Sequence, residues 1–123
     1  VGNGVLNGRI VFDAEDIAKV KAEDPEAALI LVRPDTVPDD IDLIVQCEGL
    51  LTSRGGATSH AAVTATRMNK IGVVNCRNMT VFEKVNACRI GETNLPLGAK
   101  IAIDGHNGSI YLGWYLIETM FVS

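Results

Sequence analysis

The residues best suited to chemistry form one short run, Arg54-Gly55-Gly56-Ala57-Thr58-Ser59-His60. Paired glycines permit backbone conformations that other residues resist, and they let another group approach the main chain closely. Thr58 and Ser59 are both good N-cap residues, so a helix is predicted to begin here with His60 in its first turn. The free N–H groups and partial positive charge of a helix start suit an anion such as phosphate.

The predicted position of His60 favours the neutral imidazole, because the positive end of a helix disfavours imidazolium by about 0.3–1 kcal/mol. Neutral imidazole is the nucleophilic form, and the same dipole would stabilise a phosphoryl group once it is bonded to the ring. The alternative is an ordinary surface or capping histidine, which is what an isolated histidine usually is. The glycine pair and the adjacent hydroxyls support the chemical role, but these residues alone leave both alternatives open.

The surrounding sequence predicts short strands that alternate with helices. Apolar or β-prone runs predict strands at 8–12, 27–32, 49–52, 70–74, 100–103 and 109–112, the last two joined by a hairpin turn. Helices are predicted at 13–21, with Asp13 as N-cap, from Thr36 or Val37 through Val45, and after Ser59. Residues 80–87 are a polar segment and 95–98 a turn. The pattern indicates a mixed α/β fold with short parallel strands, without giving their order.

Length and composition indicate one domain that covers residues 1–123. The net charge of −4, with interspersed signs, makes nucleic acid and anionic membrane improbable partners. The apolar C-terminal run is interrupted by Gly113 and Glu118 and is too short to span a bilayer. The N-terminus does not resemble a signal peptide. Because the first residue is Val1 rather than methionine, we expect a domain excised from a larger enzyme.

The three cysteines, Cys47, Cys76 and Cys88, lack the Cys-x-x-Cys spacing of zinc sites and redox dithiols. We expect reduced, mostly buried thiols in a cytosolic protein. A catalytic pair of Cys76 with His60 is the weaker alternative, because the sequence supplies no orienting partner.

Three further polar features allow two interpretations each. Arg33, at a strand end, is either a phosphate contact or a surface cation. The adjacent Asp39 and Asp40 are either a metal site or, as we favour, partners of a helix dipole. His106 lies in a dense turn and is expected to be an exposed loop residue rather than a ligand.

Gly55 to Val63 resembles the phosphohistidine signature of the phosphoenolpyruvate-utilising enzymes, most closely that of pyruvate phosphate dikinases. The similarity extends through residues 8–14, 31–33, 36–41, 49–52 and 103–105. Val37 replaces the serine that the family usually has, and Asn69 replaces a glycine after the helix. Asparagine tolerates the left-handed conformation, so the turn at Asn69 is expected to survive.

The resemblance implies a compact swivelling β/β/α phosphohistidine domain in which His60 is the nucleophile and carrier. Its phosphoryl group would move between a nucleotide-binding domain of ATP-grasp type and a barrel domain for pyruvate and phosphoenolpyruvate. Phosphoryl-positioning roles are implied for five neighbouring residues. They are Arg54, as a countercharge or else a surface arginine, and Gly55, Gly56, Thr58 and Ser59. Thr58 also matches a regulatory phosphorylation site of plant dikinases, where phosphate would repel an incoming phosphoryl anion.

The same resemblance implies ATP, phosphate, pyruvate and phosphoenolpyruvate as substrates of the whole enzyme, which is expected to be a homodimer. No metal or cofactor is expected on this domain, and Mg²⁺ is assigned to the other domains, so the isolated domain is predicted to be inactive in turnover. The expected location is the cytoplasm, with a plastid or glycosome as alternatives. The open alternatives are a phosphoenolpyruvate synthase domain, a free-standing phosphocarrier or binding module, and a degenerate structural domain.

Overall fold

The computed structural model describes residues 5–35, 40–54, 60–74, 76, 79–85, 87–105 and 109–112. The helices are α1 (Ala14–Glu23), α2 (Ile41–Gln46) and α3 (His60–Arg67), with a short 3-10 helix at Glu83–Val85. The strands are β1 (Val5–Val11), β2 (Leu29–Arg33), β3 (Gly49–Thr52), β4 (Ile71–Val73), β5 (Met79–Phe82), β6 (Ala87–Ile90), β7 (Thr93–Pro96), β8 (Lys100–Asp104) and β9 (Ser109–Leu112).

The larger sheet has six strands in the order β4-β3-β2-β1-β8-β9. Strands β4, β3, β2 and β1 are parallel, whereas β8 and β9 join as antiparallel strands at the β1 side. Each parallel pair is connected by a helix, as parallel strands require. The predicted strands and the β8–β9 hairpin are confirmed, and the structure adds the strand order.

Alternate residues of the central strands face two separate apolar layers. Strand β2 is buried on both faces: Ile30 and Val32 pack in one cluster, and Leu29 and Leu31 pack in the other. This explains why the β2 sequence is continuously apolar rather than alternating. The helix-side cluster includes Ile17 and Val20 of α1, Ile44 of α2 and Ala65 of α3.

The second face of the large sheet is covered by a smaller antiparallel sheet in the order β5-β6-β7. Its buried residues Met79, Cys88 and Leu95 belong to the same cluster as Ile30 and Val32. The domain is therefore a β/β/α sandwich, as predicted. Strands β5, β6 and β7 were not predicted. Each has four residues, of which only one is buried, and so short a pattern does not distinguish a strand from a polar segment. Leu95 and Pro96, predicted to be in a turn, end β7.

The helix boundaries follow local signals, with one correction. The Asp13 side chain accepts a hydrogen bond from the Asp16 amide, which confirms Asp13 as the N-cap of α1. Helix α2, however, begins later than predicted, with Asp40 as N-cap, and the proposed caps Thr36 and Val37 lie outside the described residues. Asn69 has the left-handed φ of 56° that was predicted after α3. No helix in the described ranges has the length and apolar character needed to cross a membrane.

Candidate functional site

The candidate site lies at the carboxyl edge of the four parallel strands. In open α/β sheets this edge is where ligands bind, because the loops that leave the strands converge there. Strand β2 ends at Arg33 and β3 ends at Thr52, and these two residues are register partners. After β3 the chain passes through the glycine run and enters α3 at His60. The topology thus brings Arg33, Thr52, Arg54 and the backbone of His60 to one edge.

His60 is the first residue of α3, as the sequence analysis predicted. Ala65 of α3 is fully buried opposite Gly72 of β4, where an added Cβ would lie 3.4 Å from the Ala65 Cβ. Because Gly72 has no side chain, α3 can pack close to the sheet. The His60 side chain, together with Gly55, Gly56, Thr58 and Ser59, lies outside the part of the chain that the structure describes.

A set of hydrogen bonds fixes the chain at the point where it enters the glycine run. The Thr52 hydroxyl donates to the Arg54 carbonyl oxygen over 2.8 Å, and the Arg54 amide donates to the Pro34 carbonyl oxygen over 2.9 Å. The Ser53 hydroxyl donates to the same Pro34 oxygen over 3.3 Å, and the Cys76 amide donates to the Thr52 carbonyl oxygen over 3.0 Å. The segment after β3 is therefore tied both to the end of β2 and to the chain beyond β4.

The two arginines at this edge have different surroundings. The Arg54 side chain is exposed, so it is accessible to a bound anion. Arg33 is partly buried: its Nη1 donates to the Phe12 carbonyl oxygen over 3.3 Å, and its Nε lies 3.8 Å from Asp40 Oδ2. Arg33 thus joins the ends of β1 and β2 to the start of α2. These contacts give it a structural role, and a phosphate contact remains untested.

The acidic pair predicted at the start of α2 is only partly described, because Asp39 lies outside the described residues. Asp40 is buried and faces Arg33 as the N-cap of α2, which agrees with the helix-start interpretation. Among the residues that the structure describes, no group of three or more histidine, cysteine or acidic side chains is arranged to hold a metal ion. His106 also lies outside the described ranges.

The cysteines are free thiols, and two of them are poor nucleophiles. Cys47 and Cys88 are buried and Cys76 is half-buried. Burial, with a smaller contribution from Glu48, raises the pKa of Cys47 from 9.0 to about 12. Burial, with a smaller contribution from Cys76, raises the pKa of Cys88 to about 11. Because the thiolate is the reactive form, neither thiol is suited to catalysis at neutral pH.

Thr52 was predicted only as the last residue of a strand and was given no functional role, because the partner of its hydroxyl depends on how the chain turns after β3. The available signal was a threonine at the end of the strand, a short distance before Gly55, at a point where a valine would continue the strand equally well.

Comparison with known proteins extends this description. The family described as "PEP-utilising enzyme, mobile domain" matches residues 25–108, which include every residue of the candidate site. The chain is 36% identical to the chloroplastic pyruvate, phosphate dikinase of Flaveria pringlei over 114 residues, or 93% of this chain. It is 39% identical over 110 residues to pyruvate, phosphate dikinase of Clostridium symbiosum, and 40% identical over 110 residues to that of Rickettsia felis.

These relatives are much longer than the chain described. The alignments cover 89–93% of this chain but only 12% of each of the three relatives. The similarity therefore concerns only a small part of each relative's length.

Proposed function

Because this chain belongs to the PEP-utilising enzyme mobile domain family, we propose that it carries phosphoryl groups on His60 in a pyruvate phosphate dikinase-type enzyme. The observation that supports this most strongly is the position of His60. It is the first residue of α3, directly after the glycine run, at the carboxyl edge of a parallel sheet. A phosphoryl group bonded there would meet the positive end of an eight-residue helix.

The chemistry that we propose for His60 is reversible nucleophilic transfer. A lone pair of a neutral ring nitrogen attacks the phosphorus of the donor in line, the N–P bond forms, and the P–O bond to the leaving group breaks. When phosphoenolpyruvate is the donor, the oxygen that leaves takes the electron pair and becomes the enolate of pyruvate, which then accepts a proton. The reverse sequence phosphorylates pyruvate.

The neighbouring residues would position and neutralise the phosphoryl group. Arg54 is exposed beside the glycine run and supplies a countercharge, while Gly55, Gly56, Thr58 and Ser59 would offer backbone and hydroxyl donors. Phosphorylation of Thr58 would place a second anion two residues from His60 and oppose transfer. The regulatory role of Thr58 is proposed on the same basis as the carrier role of His60.

The donors and acceptors of the phosphoryl group lie, in this proposal, on other domains of the same polypeptide. We place ATP and phosphate on a nucleotide-binding domain of ATP-grasp type, and pyruvate and phosphoenolpyruvate on a barrel domain. Mg²⁺ would neutralise phosphate charge at those sites, and the proposal assigns this domain no part in binding it. The proposed enzyme is a homodimer in the cytoplasm or, as the names of two relatives indicate for those proteins, in a chloroplast.

The direct test is phosphorylation of the full-length protein by radiolabelled phosphoenolpyruvate. We expect one acid-labile phosphoryl group per chain, which is lost in His60→Ala and retained in His106→Ala, the matched histidine control. Label that persists in His60→Ala would contradict the proposal.

A second test concerns the isolated domain, which we expect to form no phosphoenolpyruvate from ATP, phosphate and pyruvate. Sustained pyruvate-dependent formation of phosphoenolpyruvate by residues 1–123 alone would show that the domain holds a complete active site, contrary to this proposal.

A further inference from the structure

We propose that Thr52 is a positioning residue for phosphoryl transfer, an inference that rests on the proposed carrier role of His60. Its hydroxyl would set the direction in which the chain leaves β3 and enters the run that leads to His60. Thr52 itself touches neither the substrate nor the phosphoryl group in this proposal. It acts through the backbone of Arg54.

The Thr52 hydroxyl is buried, and its burial has a free-energy cost. Thr52 is fully buried at the end of β3, on the same side of the strand as Leu50, which packs in the helix-side cluster. A valine would fill nearly the same volume and suits a strand equally well. A hydroxyl in such a place is unfavourable unless it forms a hydrogen bond. The 2.8 Å bond from the Thr52 hydroxyl to the Arg54 carbonyl oxygen meets this requirement.

The hydrogen bond from Thr52 fixes the orientation of the peptide group that follows Arg54. The Arg54 carbonyl belongs to the peptide bond that leads into the glycine run, and the Thr52 hydroxyl holds it toward the end of β3. The Arg54 amide is held separately by the Pro34 carbonyl oxygen over 2.9 Å. Both peptide groups of Arg54 are therefore fixed, one by β3 and one by the residue that follows β2. Loss of the Thr52 hydroxyl would release the Arg54 carbonyl and leave the hydrogen bond from the Arg54 amide to Pro34 in place.

The position of the Arg54 backbone bears on the reaction through the alignment of His60. In-line attack on phosphorus requires the nucleophile to lie close to the donor and to be aligned with the bond that breaks. Two glycines follow Arg54 directly, and glycine restricts the backbone less than any other residue. In this proposal the placement of His60 therefore depends on how the chain is held before the glycines and at the start of α3. Thr52 supplies a fixed point at one end, and the start of α3 supplies the other.

The test compares Thr52→Val, Thr52→Ser and Thr80→Val in the full-length protein. Thr80 makes the matched control because it is an exposed threonine on β5 of the smaller sheet. The measurements are the single-turnover rate of His60 labelling by radiolabelled phosphoenolpyruvate over a range of donor concentrations, and the thermal unfolding midpoint of each variant.

For Thr52→Val we expect a maximal labelling rate that is lower by about five- to tenfold, the effect of one lost hydrogen bond, with an unchanged half-saturating donor concentration. Thr52→Ser keeps the hydroxyl and should retain most of the wild-type rate, and Thr80→Val should retain all of it. An unchanged half-saturating donor concentration would show that His60 is aligned less well and that the donor is bound as tightly as before.

Two results would overturn the positioning role and leave the carrier role intact. One is a wild-type labelling rate in Thr52→Val. The other is an equally slow rate in Thr52→Ser and Thr52→Val, since a variant that keeps the hydroxyl would then perform no better than one that lacks it. If the wild-type protein itself takes no label at His60, the proposed function fails, and this inference fails with it.

Discussion

Arg33 and Asp40 connect the end of a strand to the start of the next helix. The Arg33 Nε lies 3.8 Å from Asp40 Oδ2, and the Asp40 side chain is 9% exposed. The Asp40 carboxylate makes no capping hydrogen bond to its own helix. Arg33, which also donates to the Phe12 carbonyl oxygen, places a positive charge beside this buried side chain across the carboxyl edge of the sheet.

Replacing Asp40 by alanine should therefore destabilise the fold. We expect Asp40→Ala to lower the free energy of unfolding by about 1–2 kcal/mol, less than for a fully buried pair because Arg33 is partly exposed. Asp42→Ala removes an exposed carboxylate from the first turn of the same helix and should cost under about 0.5 kcal/mol. Urea denaturation would measure both variants, and equal losses would argue against a specific role for the Arg33–Asp40 pair.

A methyl group at Gly49 should destabilise the fold, because neighbouring side chains would have to shift to make room for it. A Cβ at this position would lie 2.6 Å from Leu6 Cδ2 and 3.1 Å from Ile103 Cδ1, within the layer between the two sheets. We expect Gly49→Ala to reduce the free energy of unfolding by about 1–3 kcal/mol through overpacking.

Gly91 differs from Gly49 because the space around it is open. It has a φ of 59°, and a Cβ added there would meet no atom within 4 Å, so its substitution is limited by backbone conformation alone. Gly91→Asn should cost less than Gly49→Ala, because asparagine tolerates the left-handed region. If denaturation finds Gly91→Asn to be the more damaging change, the packing at Gly49 is looser than described.

The buried thiol of Cys47 should make the fold less stable at alkaline pH. Its pKa is about 12 in the folded protein against an ordinary 9.0, so as pH rises the unfolded chain loses this proton first. The contribution of Cys47 to stability is complete below about pH 9 and is lost as pH rises toward 12, by at most about 1.4 kcal/mol per pH unit. Urea denaturation between about pH 7 and about pH 10.5 would measure this dependence.

Cysteine variants separate the Cys47 contribution from other groups that titrate in the same range. Cys47→Ala should show a shallower loss of stability above about pH 9, whatever its stability at neutral pH. Cys76→Ala, at a half-buried position, keeps Cys47 and should follow the wild-type pH dependence. Identical pH profiles for Cys47→Ala and wild type would contradict the raised pKa.

Arg54 should affect phosphoryl transfer without affecting the fold, because its side chain is exposed. We expect Arg54→Ala to slow His60 labelling by phosphoenolpyruvate by about two- to fivefold, with an unchanged thermal unfolding midpoint. The matched control is Arg67→Ala, an exposed arginine at the opposite end of α3. Added salt should reduce the difference between Arg54→Ala and wild type by screening. A wild-type rate in Arg54→Ala would remove the countercharge role.

The features that were predictable from sequence depend on residues near one another in the chain. The N-cap at Asp13, the strand at 49–52, the start of α3 near His60 and the turn at Asn69 were all predicted, and the structure confirms them. Each is decided within a few residues, by a capping side chain, an apolar run or a permitted φ. The family signature is of the same kind, since it is a contiguous motif.

Only the tertiary structure decided the relationships between residues that are distant in the sequence. The smaller sheet was missed because β5, β6 and β7 are short and are stabilised by pairing and by packing against the larger sheet. The partners of Arg33 and the Thr52 hydroxyl likewise depend on strand order and on the turn after β3. A sequence pattern records which residues prefer a strand or a helix start. It does not record which elements become neighbours, because that depends on how all the apolar faces are buried together.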